Sequence, residues 1–205
     1  DVFIPLLDFL YHSIFPNYGV AIILMTLLIK VIFYPLTRKQ FESMKVTQKI
    51  QPQMKKLQEK FKGQPQKLQQ EMMKLWKEHN ASPLSGCLPA LVQLPFFIAI
   101  FYAVKSPEFS ALITQPGVNS GLFSFWLADL TLKDSTYILP VLIALAMYWS
   151  QKLTVMDEKQ AKLMMFMPVI MFVFCLGMPA GVLLYWAISQ VLSAAQQYYI
   201  VKKTG

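Results

Sequence analysis

One cation stands inside an apolar run. Lys30 lies within YGVAIILMTLLIKVIFYPL, Tyr18 to Leu36, with Thr26 four residues before it, Tyr34 four after and Thr37 seven after. In a helix these polar side chains share one face. Near the C-terminus Tyr185, Ser189, Ser193 and Gln196 repeat that spacing of four, four and three, and Gln93 stands alone in a third apolar run. The chemistry of such a set is noncovalent. An ammonium brings three donors and a fixed charge, while hydroxyls and amides donate and accept, so together they can hold an acidic or polar segment. A polar group left facing hydrocarbon costs several kcal/mol. Two matched stripes and Gln93 therefore point to one shared hydrated groove. The plainer alternative for Lys30 is a long stem snorkelling toward Arg38 and Lys39, about two turns away.

Covalent or metal chemistry has no comparable signal. His12 and His79 are far apart and lack companion ligands, so neither a metal nor a cofactor is expected. Cys87 and Cys175 sit in apolar runs, where free cysteine behaves as a small hydrophobe. Over 205 residues the chain is 55% hydrophobic with a mean hydropathy of +0.42, too apolar for an ordinary soluble domain and too short for more than one bundle. The net charge of +8 is concentrated, since Thr37 to Asn80 holds eleven Lys/Arg against four acids, a net of +7. That argues against a specific nucleic-acid site spread over a soluble surface. The first eighteen residues carry Asp1 and Asp8 with no Lys or Arg, and Lys105 to Thr136 has two basic residues against three acidic. By the positive-inside rule the Thr37 to Asn80 segment is cytoplasmic and the other two are external.

The elements that must position the polar stripes follow from this pattern. The fold class expected is an all-α membrane protein: a five-transmembrane-helix bundle with a cytoplasmic helical hairpin and an external interfacial helix. The interfacial helix is residues 1–15, and the spans are 18–36, 84–104, 137–153, 163–178 and 182–201, with an external loop at 105–136. The hairpin, 37–80, pairs Ile50, Met54, Leu57 and Phe61 with Leu68, Met72, Leu75 and His79 as a short antiparallel coiled coil. Pro52 is expected to kink or restart its first arm. Phe123, Phe125 and Trp126 serve as external interfacial anchors. The N-terminus lies outside and the C-terminus in the cytoplasm. The third and fourth spans are short enough to invite local thinning of the bilayer. The chain opens at Asp1 without a methionine, basic leader or cleavage site, so removal of a leader or larger N-terminal region is expected.

The runs LIKVIFYPLT, QPQMKKLQEKF, QQEMMKLW, ASPLSGCLPALVQLPFF, YILPVL, FMPVI and MPAGVLLYW, in that order and spacing, closely resemble the YidC family of membrane protein insertases, with relatives in mitochondria and chloroplasts. The resemblance covers nearly the whole chain. It implies a five-helix core whose groove opens to cytoplasm and lipid, is closed outside, and receives the hydrophilic part of a nascent protein. It places the groove cation at Lys30, where most bacterial members have arginine, keeping the charge but losing the bidentate fork. It places polar groove positions at Thr26 and Gln93, beside Tyr34, Tyr185, Ser189 and Ser193 of the stripes. Phe97, Met147, Phe174 and Trp186 match places that meet the apolar part of a client, Trp186 standing where many members have tyrosine. The implied function is insertion of nascent membrane proteins in the bacterial inner membrane without catalysis, cofactor or nucleotide. The implied partners are the ribosome, the Sec translocon and membrane lipids. The competing classes are a small-solute transporter or channel and a non-catalytic assembly scaffold.

Overall fold

The computed structural model describes residues 3–80, 88–115, 118, 126–153 and 158–203. Among them the named elements are all helices: α1 (Phe3–Ser13), α2 (Tyr18–Ile32), α3 (Tyr34–Lys60), α4 (Pro65–Glu78), α5 (Leu88–Lys105), α6 (Pro107–Ile113), α7 (Ile138–Leu153), α8 (Glu158–Cys175) and α9 (Ala180–Lys203). An isolated antiparallel bridge pairs Lys133 with Pro179. Cys87, with the rest of the 81–87 linker, and the expected anchors Phe123 and Phe125 lie outside the described residues.

The run expected as one helix from Tyr18 to Leu36 is two. Asn17 caps α2 by accepting from Val20 N at 3.0 Å, and α2 stops at Phe33. Pro35 sits in the first turn of α3, where its missing N–H is harmless and its fixed φ favours a new start. Farther back in one continuous helix, its ring would press on the Val31 carbonyl. The restart foreseen at Pro52 does not occur, for α3 runs through that residue to Lys60. A turn containing Gly63, at φ +93°, then leads into α4. That left-handed conformation suits glycine. Ile50 and Leu75 are buried there. A further helix, α6, follows Ser106, whose Oγ accepts from Phe109 N at 3.1 Å with Pro107 next in line.

Among the described residues no single helix is long and apolar enough to cross a membrane. Two bent pairs are, α1 with α2 at 113° and Leu91–Lys105 with α6 at 60°. Two physical reasons account for this. The fifteen residues of α2 reach about 22 Å against a hydrocarbon core of about 30 Å, and α9 dilutes its apolar length with tyrosine, serine and glutamine.

α9 is the hub, packing against α7, α2, α5 and α3. Val182, Leu183, Leu184 and Ala187 are buried in a core shared with Ile22 and Met25 of α2, Ile100 of α5 and Ile143 of α7. Each such Val, Leu, Ile or Met side chain contributes about 1.5–3 kcal/mol where the alternative is water. The outer surface is also apolar: Val31 is 71% exposed, Phe166 65% and Leu145 60%. Apolar surface of that extent is uncommon on a soluble monomer and marks contact with a membrane or partner.

One end of α9 is fixed by the segment before α7. Ala180 N donates to Leu132 O at 2.7 Å and Gly181 N to Leu130 O at 2.8 Å. Asp134 is buried and accepts from Leu139 N (2.9 Å), Thr136 N (3.0 Å), Thr136 Oγ1 (2.5 Å) and Trp126 Nε1 (3.4 Å). Burial alone would raise its pKa, but those donors, led by Thr136, hold it below the usual value.

Candidate functional site

The polar groups of the bundle gather along one row of α9. Tyr185, Ser189, Ser193 and Gln197 are each four residues apart and so stack on one face. Tyr185, Ser189 and Gln197 are almost fully buried, where unpaired polar atoms would be costly. Three neighbouring helices supply the partners. From α5, Gln93 Nε2 donates to Tyr185 Oη at 2.5 Å, and Ser189 Oγ donates back to Gln93 Oε1 at 3.1 Å. From α2, Lys30 Nζ donates to Ser193 Oγ at 2.7 Å. From α7, Ser150 Oγ donates to Gln197 Oε1, and Gln197 Nε2 donates to the Ser150 carbonyl at 3.3 Å. The row ties four helices together and seats a half-buried ammonium in its middle.

Lys30, Gln93, Tyr185, Ser189 and Ser193 are thus brought together. Three residues of the expected stripe are placed otherwise, among them Thr37, which lies past the break at Phe33 and donates its hydroxyl to Phe33 O at 3.0 Å. Thr26 is fully buried and its hydroxyl donates to Ile22 O of its own helix at 2.7 Å, so its polarity is satisfied locally. Tyr34 falls beyond the break at Phe33, is 40% exposed, and lines a separate cavity with Gln196 and Tyr199. The α9 row continues through Gln197 rather than Gln196. Ser150 and Gln197 went unnoticed in the sequence, where the polar end of α7, WSQK, was their one signal.

Of the apolar candidates, Phe97 and Trp186 meet edge to face with centroids 5.2 Å apart, and Met147 packs against the same core. Phe174 is 49% exposed on α8. The Lys30 ammonium has no carboxylate partner among the described residues and donates to a neutral hydroxyl. It keeps donors for a ligand. An anionic group arriving here would meet a cation backed by hydroxyls, the arrangement that recognises carboxylates.

The sequence model of the 60Kd inner membrane protein family matches residues 9–205. The chain belongs to that family. It is 42% identical over 200 residues to the membrane protein insertase YidC of Helicobacter pylori (strain ATCC 700392 / 26695), covering 96% of this chain and 35% of that protein. The same identity holds over 200 residues of the YidC of Geobacter sulfurreducens, at 96% and 36% coverage. A crystal structure of an active YidC insertase with its first transmembrane domain resolved is similar at a TM-score of 0.76 and 32% identity, over 97% of this chain and 46% of that one. The chain spans about a third of the length of these curated relatives. The helical fold of the described residues is similar to the matched part of that YidC structure.

Proposed function

We propose that this chain is the core of a membrane protein insertase. It receives a nascent membrane protein in a hydrated groove between α2, α5 and α9 and releases the apolar span into lipid. The observation that carries the reading is Lys30, an ammonium without a carboxylate partner among the described residues, set in a polar row inside helices whose outer faces are apolar. The names of the relatives support it. The acidic or polar tail of a client is met by Lys30, while its apolar span passes over Phe97, Trp186 and Met147 toward Phe174. No bond is made or broken. The driving terms are burial of apolar client surface in lipid and, for an acidic tail moving outward, about 2.3 kcal/mol per charge per 100 mV.

In this reading five spans, with α1 at the outer interface and α3 with α4 as a cytoplasmic arm, place the N-terminus outside and the C-terminus inside the bacterial inner membrane. Nascent membrane proteins are the clients, the ribosome and Sec translocon the delivering partners, and lipid the acceptor phase. The test is reconstitution of the protein in liposomes with a single-span client bearing an acidic tail. Lys30→Arg should insert it, and Lys30→Ala and Lys30→Glu should fold yet insert it poorly, the glutamate worse. An unchanged rate for Lys30→Ala would sink the electrostatic reading, and solute flux without insertion would favour a transporter.

A further inference from the structure

Away from the Lys30 row, the seam between α3 and α9 holds amide atoms that find no partner among the described residues. Gln40 lies in the most basic stretch of the chain, yet it is 4% exposed. Its Nε2 finds no acceptor among the described residues, and across the seam Gln196 Oε1 is shut off from solvent with no donor. Buried amide atoms are nearly always paired. That both fall on this seam follows from their neighbours: Phe41, next to Gln40, and Met44, one turn on, pack against Ile200, one turn after Gln196. The joint is also underfilled. A cavity of about 230 Å³, lined by Tyr34, Ala195, Gln196, Tyr199 and Ile200, lies along it, with room for one large side chain.

We propose that the α3–α9 seam is a docking site for one residue of an extended polypeptide. Its side chain fills the cavity, its carbonyl accepts from Gln40 Nε2 and its N–H donates to Gln196 Oε1. The seam must part for this, and Phe41, Met44 and Ile200 form a small cluster to separate. The occupant follows from complementarity. Each non-proline peptide residue carries one donor and one acceptor, the counterpart of the unpaired acceptor and donor here. A lipid chain would fill the cavity but pair neither amide, and a phosphodiester, an acceptor only, has no donor for Gln196 Oε1. The inference rests on the insertase reading and adds where a client is first held: Gln196 is three residues past Ser193, about one turn from the Lys30 contact.

The test is photo-cross-linking from p-benzoylphenylalanine in place of Tyr199, an aromatic already at the cavity edge and 54% exposed, so that the cavity stays open, in the full chain in proteoliposomes. The probe is a ribosome-stalled nascent chain with one apolar span and an acidic tail, prepared at a series of lengths. Adducts to the nascent chain should form over a limited window of lengths. Gln40→Met with Gln196→Met should cut them about fivefold, as expected for loss of ordinary hydrogen bonds, with no fall in the thermal midpoint. Adducts to phospholipid alone, or nascent-chain adducts unaffected by the double substitution, would overturn the inference. So would a lowered midpoint, which would mean the two amides are structural. Each single Met variant, which removes one of the two hydrogen bonds, should cut the adducts by a smaller factor with the midpoint likewise unchanged. Should the client be inserted yet no nascent-chain adduct form from position Tyr199, the seam proposal alone fails. If it does not insert the client at all, the insertase reading fails with it.

Discussion

Gln93→Glu is the substitution that separates structure from charge at the site. Gln93 accepts from Ser189 and donates to Tyr185. A glutamate accepts from both hydroxyls, since the tyrosine O–H can turn to donate, so the fold should survive. The new carboxylate, however, sits one turn of α9 from the Ser193 hydroxyl that Lys30 holds. One turn places the two charges about 6 Å apart. Their attraction is then about 3 kcal/mol at an effective dielectric constant of 20, and about 0.7 kcal/mol if water fills the space. A client carboxylate must displace that internal partner. Insertion of an acidic-tailed client should therefore slow by about threefold in the wet limit and by about a hundredfold in the dry one. The assay is protease protection of the client in proteoliposomes, with a neutral-tailed client as control. That control should insert at close to the unmodified rate. A folded Gln93→Glu protein that inserted both clients normally would refute the idea that a free Lys30 charge does the work.

Asp134→Asn should lower the thermal midpoint in detergent, because an amide N–H₂ cannot accept from both the Leu139 and Thr136 donors. One lost or reversed charged hydrogen bond is worth about 1–3 kcal/mol. The folded pKa of Asp134 is depressed, so its contribution is present above the usual carboxylate range and is lost as pH falls through the folded value. Acid melting of the unmodified protein should show that loss and the Asn variant should not. Gly181→Ala puts a Cβ 3.2 Å from Leu130 O and 3.3 Å from Val104 Cγ1, so a midpoint loss equivalent to about 1–3 kcal/mol is expected; an unchanged midpoint would mean the 126–137 segment gives way freely. Ser150→Ala leaves Gln197 Oε1 buried without its hydroxyl donor and should cost about 1–3 kcal/mol, measured the same way.

The sequence by itself determined the helical class, because apolar runs bounded by glycine, proline and charge leave little else to form. It also determined that Lys30, Gln93, Tyr185, Ser189 and Ser193 needed partners, since polar groups among so many apolar ones must be paired. The break at Phe33 was signalled by Pro35 and the start of α6 by Ser106, Pro107 and Glu108, local steric and capping rules that the hydropathy of the runs had masked. Other features were decided only by packing. A spacing of three or four residues both fit a helix of 3.6 per turn, so nothing in the chain could prefer Gln197 over Gln196 until α7 brought Ser150 to one of them. Thr26 could equally face a groove or bond its own backbone; the core around Ile22 and Met25 closed over it and left the Ile22 carbonyl as its partner. Which hydroxyl takes the lysine, and which amides are left unpaired at the seam, depends on how helices distant in sequence meet, and periodicity along one strand of sequence carries no record of that.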